Sequence, residues 1–325
     1  MLIPKQIELL QTVILYQRPD LSKTILPLVK VYRQTLTITQ ILNLLKIKRH
    51  LYYYWWKSQK AQQKRQHHYQ LITKRVGLLC QKYYYACGYR KITVLYREFF
   101  QEIVNHKIIL KIMKTNNWLM KWRRPHMKNQ IFHQHVAYQP NLIKNHFVTD
   151  QPLTKLYTDL TCFPTTQGLL WVSVILDGYH QEILSLKTSL KPNLKLIKAT
   201  FKVLPSLTKP CIIHSDRGGS YSSRLWQQTL QQKGFLISMS RPGCPNDNAP
   251  IESWFSNLKG WFKSRYGDWY HYSFGEIIKK IQTFKSFYNH KWPIKKLNYQ
   301  SPLHYLQNYQ EKNLNFRIRL INQTK

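Results

Sequence analysis

Strand-like runs followed by alternating helices and strands predict an α/β domain in the second half of this chain. An all-helical region is predicted ahead of it. Runs rich in β-branched, aromatic and aliphatic residues cover 156–163, 169–176 and 182–188, and the turn-forming pairs Gln167-Gly168 and Asp177-Gly178 separate them. After these, helical periodicity alternates with two short strand-like runs. In the first half, apolar residues recur at helical spacing.

The helical part begins with residues 37–56. Ile38, Ile41, Leu42 and Leu45 share a helix face, Lys46-Ile47 breaks it, and a basic aromatic helix follows Lys48 and Arg49. This outline is that of a helix-turn-helix, whose second helix enters the major groove of DNA. An ordinary helical hairpin has the same outline. The run Tyr52-Tyr-Tyr-Trp-Trp56 reads as core packing rather than a base-stacking platform. Gln59–His68 is polar and basic, a solvated helix or a linker.

A second helical unit is expected from about Leu71 to Trp118. Gly88-Tyr-Arg-Lys-Ile92 leads a helix through Phe100, and Val104-Asn-His-Lys107 opens another that ends at Asn116. Asn105 can cap that last helix. Ile108, Ile109, Ile112 and Met113 give its apolar face, which leaves Lys107, Lys111 and Lys114 for phosphate. The expected DNA contacts are therefore Asn105, His106, Lys107 and Lys111 here, with Lys48 and Arg49 in the first unit. Met120–Asn145, with Arg123-Arg124-Pro125, reads as a basic tether along a phosphate backbone.

In the second half, helices are expected at 193–203, 223–233, 250–263 and, as the last one, 274–289. Strands are expected at 211–214 and 236–239. Three antiparallel strands followed by this alternation is the order of the ribonuclease-H-like fold, a five-stranded mixed sheet flanked by helices. The expected domains are 1–68 and 69–119 (two helix-turn-helix-like regions), 120–150 (basic linker), 151–310 (catalytic core) and 311–325 (tail).

Composition limits the partners. Fifty Lys and Arg against 14 Asp and Glu give a formal charge of +36, which repels itself unless a polyanion is near. Nucleic acid fits better than a membrane surface, because no run approaches the roughly 20 apolar residues that span a bilayer. Five cysteines, none in a C-x-x-C pair, suit a reducing cytoplasm. His67, His68, Cys80 and Cys87 match no common zinc spacing, so buried thiols are the simpler reading.

The acids are unevenly placed. None lies between Asp20 and Glu98 or between Glu102 and Asp150, and half of all of them fall from Asp150 to Glu252. Three stand out: Asp159 in Thr158-Asp-Leu-Thr161, Asp216 in His214-Ser-Asp-Arg-Gly218, and Glu252 in Asp247-Asn-Ala-Pro-Ile-Glu252, with 35 residues between the second and third. Alone, Asp216 is a turn former and Glu252 suits the start of a helix beginning at Pro250. Asp159 lies inside an apolar strand, where Asp is disfavoured. In the expected fold all three meet at one sheet edge. Clustered carboxylates repel unless a cation joins them, and hard divalent ions take oxygen ligands. Lys259, seven residues after Glu252, shares its helix side and can hold a DNA strand, although a plain surface lysine would look the same.

These segments, with Met239-Ser-Arg-Pro-Gly243 and Trp254-Phe255, resemble the DDE transposases of the insertion-sequence-3 family, which share the catalytic core of retroviral integrases. Gly88–Ile92 and Val104–Lys107 resemble that family's helix-turn-helix segment. Tyr288-Asn289, Pro293, Leu297 and Ser301-Pro302 resemble its C-terminal signature. The resemblance spans about residues 70–305. It implies that Asp159, Asp216 and Glu252 are the catalytic, metal-binding triad, holding two Mg2+ or Mn2+ ions, and that Lys259 assists with DNA. It implies DNA cleavage and strand transfer on double-stranded DNA, at insertion-sequence ends and a target, by a homo-oligomer in the bacterial cytoplasm at the nucleoid.

Two features depart from the family. Trp292-Pro293-Ile294 stands where the family has Arg-Pro-His, and no heptad zipper is visible. The chain therefore resembles a second-reading-frame product that works with an upstream-frame protein or as a fusion with it. Asp177 is expected to hold a turn, and Ser215 and Asn248 to orient ligands or backbone beside the triad. The alternatives are a non-enzymatic DNA-end-binding remnant or regulator, a hydrolytic nuclease, and a tyrosine recombinase, since His214-Ser-Asp-Arg217 satisfies H-x-x-R.

Overall fold

The computed structural model describes residues 21–120, 138–204, 207 and 209–311. The chain divides into two compact units, 1–75 and 76–325. Arg123-Arg124-Pro125 and most of the expected tail lie outside the described residues.

The first unit contains α1 (Leu21–Tyr32), α2 (Ile38–Leu44) and most of α3 (Arg49–Lys82). Helix α1, with Pro27 inside it, was not expected from the sequence. Thr37 caps α2 in a reciprocal box, its N–H donating to Gln40 Oε1 at 2.9 Å and its hydroxyl accepting from Gln40 N at 3.4 Å. The predicted break falls at Lys46, whose φ of 54° is left-handed. Ile25, Val29, Ile41, Leu42 and Leu45 close a small core with Tyr52. The aromatic run is not core as a whole: Tyr54 is 69% and Trp56 43% exposed. A helix turns about 100° per residue, so only part of five consecutive rings can face inward. Gln59–His68 is an exposed stretch of α3 itself.

The second unit opens with α4 (Tyr89–Phe100) and α5 (His106–Thr115). Asn105 caps α5, its Oδ1 accepting from Lys107 N at 2.9 Å. Ile109, Ile112 and Met113 are fully buried, but Ile108 is exposed, a correction to the expected apolar face. The covered arc of so short a helix takes three of the four positions. The turn before α4 packs on the core through Tyr84, which has a left-handed φ of 54°. Its ring meets Trp261 edge-on at 5.8 Å, the Arg265 guanidinium lies 4.0 Å from its centroid, and the Ser264 hydroxyl donates to its carbonyl. Lys91 sits 4.3 Å over the Trp292 ring. Cation–π contacts of this kind strengthen as they are desolvated.

The core follows the predicted order. It comprises β1 (Lys155–Thr165), β2 (Gly168–Asp177), β3 (Ile183–Ser189), α6 (Leu194–Phe201), β4 (Cys211–Ser215), α7 (Arg224–Gln232), β5 (Phe235–Met239), α8 (Ala249–Tyr266) and α9 (Phe274–Lys291). A further helix, α10, covers 302–311 beyond the one expected to be last. The sheet order is β3-β2-β1-β4-β5, with β1–β3 antiparallel and β4 and β5 parallel to β1. This is the mixed five-stranded ribonuclease-H-like sheet. On one face Leu156, Ile213 and Ile237 pack with Ile197, Phe201, Trp226 and Leu230 of α6 and α7. On the other face Phe163 meets Phe262 of α8 at 5.9 Å, and Trp261 meets Phe284 of α9 at 5.0 Å.

All five cysteines are free thiols, and among the described residues no His/Cys/Asp/Glu group forms a ready-made metal site. No described helix is long and apolar enough to cross a membrane.

The β2–β3 turn is fastened to β1. Asp177 accepts from Leu153 N and Tyr179 N, each at 2.7 Å, so it holds the turn. His180 lies 3.1 Å from Asp177 and 2.8 Å from Glu182, and although burial pushes its pKa down, these carboxylates raise it to about 9. Gly178 N donates to Lys155 O at 2.8 Å, and a Cβ at Gly178 would stand 2.8 Å from that same oxygen and 2.9 Å from the Tyr157 ring. Gly178→Ala is expected to destabilise the second unit by about 1–3 kcal/mol, as overpacking does. Denaturant melts check this, and an unchanged midpoint contradicts the tight approach.

Candidate active site

Parallel pairing of β1 and β4 sets Tyr157 opposite His214. Asp159 and Asp216 each stand two residues further on, Asp159 within β1 and Asp216 just past the end of β4. Side chains alternate along a strand, so Asp159 shares the face of Tyr157 and Phe163, toward α8. Glu252 lies in the first turn of α8, where its charge suits the helix N-terminus.

The charges report proximity. Burial holds Asp159 well above the usual carboxylate range, the charge of Asp216 raises it further, and Glu252 adds less. The Leu160 N–H, donating to Asp159 Oδ1 at 2.7 Å, and the Lys259 ammonium oppose these effects. Burial also raises Asp216, against a 2.9 Å bond from Gly218 N to its Oδ1. Burial pushes the Lys259 ammonium down, while Cys162 and Asp159 pull it back up. Lys259 Nζ lies 5.8 Å from the Phe163 ring. Lys259 therefore faces the acids rather than solvent alone. The structure brings Asp159 and Asp216 together most strongly, with Glu252 and Lys259 in electrostatic reach.

Hydrogen bonds around the acids fix this geometry. His214 is fully buried between Ser238 Oγ at 2.8 Å and Ser240 Oγ at 3.2 Å. Arg217 is turned away to Ser240 O at 2.7 Å, so His214 and Arg217 do not form the pair an H-x-x-R recombinase needs. Asn248 Nδ2 donates to Thr158 O at 3.3 Å, tying the start of α8 to the residue before Asp159. Its Oδ1 is buried and takes no hydrogen bond among the described residues. Asp247 is clamped by Arg241 through Nε at 3.0 Å and Nη2 at 2.9 Å, with the Arg241 backbone N–H donating at 2.8 Å, and these hold its carboxyl at about 2. Ser215 spends its hydroxyl on Asp216 O at 2.9 Å.

Sequence reasoning missed Tyr221. Its hydroxyl lies 3.2 Å from Thr158 Oγ1, and burial, then the charges of Asp159 and Asp216, push its phenol well up. A lone tyrosine in a Gly- and Ser-rich loop gave no signal. Asp247 was quoted in a motif, but its clamp depends on a contact that sequence spacing does not reveal.

The residues expected to contact DNA are exposed, most of them at or near helix starts. Asn105, His106, Lys107 and Lys111 are exposed on α5, where Asn105 is already engaged as the cap and the His106 ring stacks 6.1 Å from Tyr89. Lys48 and Arg49 are exposed in the first unit, Arg49 lying 5.6 Å over the Tyr53 ring.

An integrase core domain family matches residues 149–245, and a second integrase core family matches 233–302. The chain is 32% identical over 207 residues to an uncharacterized transposase-like protein of Haemophilus influenzae, covering 62% of this chain and 93% of that protein. It is 28% identical to the putative transposase InsK for insertion sequence element IS150 of Escherichia coli, over 73% of this chain and 83% of that one. The HTLV-2 integrase catalytic core domain in complex with magnesium aligns over 47% of this chain and 95% of its own, at 15% identity and a TM-score of 0.38.

Burial lowers His214 from 6.5 to about 4, against a smaller opposing pull from Asp247. A histidine kept neutral by folding contributes stability above its unfolded pKa. That stability is expected to be lost as pH falls from about 6.5 through 4. His214→Gln should flatten this part of a pH–stability curve, and an unchanged slope contradicts the buried neutral ring.

Proposed function

The chain belongs to the insertion-sequence transposases that carry an integrase core domain, and from that premise we propose that it is a metal-dependent DNA strand transferase. The observation that carries the reading is the placement of Asp159 in β1 and Asp216 just past the end of the adjacent parallel strand β4, within electrostatic reach of Glu252 and Lys259. The donor set fits Mg2+ or Mn2+: the candidate ligands are carboxylate oxygens, two of them held above their usual range, and the orphaned Asn248 Oδ1 lies beside the strand that carries Asp159. Two such ions, when bound, activate an attacking oxygen and neutralise a leaving one.

The chain's own residues do the rest. Asp159, Asp216 and Glu252 present the oxygens. Lys259 offsets the negative charge that DNA phosphate brings to the site. The half-buried setting strengthens every charge contact within it. In the first step water attacks a phosphodiester at the element's end, one P–O bond forms, the bond to the 3′ oxygen breaks, and a 3′ hydroxyl is freed. In the second, that hydroxyl attacks a target phosphodiester, again exchanging one P–O bond for another. Bond energy passes between phosphodiesters, so neither ATP nor a covalent enzyme intermediate is required. The DNA partners are insertion-sequence ends and target duplex, gripped through Lys107, Lys111, Lys48 and Arg49, by a homo-oligomer that can include an upstream-frame protein.

The test is cleavage and joining of labelled element ends with Mg2+ or Mn2+, with and without the upstream-frame protein. Asp159→Asn, Asp216→Asn and Glu252→Gln are each expected to abolish both steps while leaving DNA affinity nearly unchanged. Substantial Mg2+-dependent activity in any one of them removes that residue from the mechanism. Binding without cutting by the wild-type chain under every condition would favour the regulator reading.

The grip has its own signature. Reversing Lys107 and Lys111 should reduce the slope of log affinity against log salt by roughly 0.9 for each phosphate no longer neutralised. An unaltered slope excludes α5 from the DNA interface.

A further inference from the structure

Residues 138–143 lie N-terminal to the integrase-core match and run beside β5. Pro140 O accepts from Met239 N at 3.3 Å, Leu142 N donates to Ser238 Oγ at 2.9 Å, and Ile143 is buried. The side chains of this segment reach the supports of the acids. The Tyr138 ring lies 4.5 Å from the guanidinium of Arg217, the residue after Asp216. Asn141 Nδ2 donates to Asp247 Oδ2 at 2.9 Å, five residues before Glu252. Asn141 is itself fixed, because its Oδ1 accepts from Ile143 N and Lys144 N, each at 2.9 Å. Ser238, the partner of Leu142, is the residue that holds His214 Nδ1 at 2.8 Å. One short segment thus touches the loop after β4 and the loop before α8.

We infer that residues 138–143 are a strap that sets Asp216 and Glu252 for divalent-cation binding, with Tyr138 and Asn141 as positioning residues. The inference rests on the metal-dependent reading above. Without Asn141, the buried Asp247 relies on Arg241, whose side chain is 58% exposed. The loop from Arg241 to Asn248 is then held to the core by fewer contacts, the Asn248–Thr158 bond among them, and Glu252 is placed less firmly. Without the Tyr138 ring, Arg217 loses its stacking partner and the turn after Asp216 is held less firmly. Neither side chain needs to touch the ion. Each acts as the outer partners of metal ligands do, by narrowing where the ligands can be.

The full-length chain is used, without DNA, and Mn2+ binding is read by electron paramagnetic resonance of the free ion. Asn141→Ala and Tyr138→Ala are each expected to weaken Mn2+ binding roughly tenfold, the scale seen when an orienting partner is removed. Tyr138→Phe, which keeps the ring, should restore the wild-type affinity, and Asp216→Asn should abolish binding. If Asn141→Ala fails to fold, the exposed Tyr138 carries the test. Tyr138→Ala with wild-type Mn2+ affinity, alongside a dead Asp216→Asn, overturns the strap and leaves the metal site standing. Tyr138→Phe as weak as Tyr138→Ala contradicts the stacking role. Asp216→Asn with wild-type affinity defeats the metal site, and the strap with it.

Discussion

The repulsion between Asp159 and Asp216 is the constraint on which the rest of this structure depends. Two half-buried carboxylates, one within β1 and one just past β4, disfavour each other's ionised form, and each is held above its usual range by burial first. A fold does not keep such a pair without a use for it. The chain carries +36 overall, yet among the described residues Lys259 is the cation whose charge opposes the rise of Asp159. Among the described residues, exposed helices carry much of the remaining positive charge, where it suits a polyanion. Among the described residues the site holds less positive charge than negative, which suits the proposed divalent ion.

The surroundings serve to hold that unfavourable pair in place. His214 is locked between two serines, Asn248 joins α8 to β1, and Asp247 is gripped from two directions. The His214 contacts join β4 to β5 and to the residue just past it, while those of Asn248 and Asp247 fix the loop leading into α8. Aromatic packing of α8 on α9 through Trp254, Trp261 and Phe284 supplies the rigid platform from which Glu252 projects. The same helix carries Lys259 two turns on, so one rigid element sets both an acid and a cation.

Much of this was legible in the chain itself. The strand-rich runs bounded by turn pairs gave β1–β3 to within two residues or so, since alternation and turn chemistry act locally. Asp159 was conspicuous because a strand interior seldom holds an acid. Asn105 was readable as a cap for the same local reason. What stayed hidden was long-range or lacked a distinct signal. Helix α1 contains Pro27, which argues against a helix locally, yet packing of Ile25 and Val29 outweighs it. Ile108 was assigned inward because periodicity does not say how wide the covered arc is. The tie from Asn141 to Asp247 spans 106 residues, beyond the reach of any spacing rule. Tyr221 sits in a loop whose sequence looks like ordinary turn chemistry.

The central proposal is that Asp159, whose carboxyl burial and the charge of Asp216 hold above the usual carboxylate range, gives up its proton to a divalent cation. Carbon NMR of aspartate-labelled protein, titrated with pH in the absence and presence of Mg2+, tests it most directly. The account predicts an Asp159 carboxyl that titrates well above an ordinary aspartate without Mg2+ and gives up its proton when Mg2+ is added. An Asp159 that titrates as an ordinary exposed aspartate, indifferent to Mg2+, would contradict it.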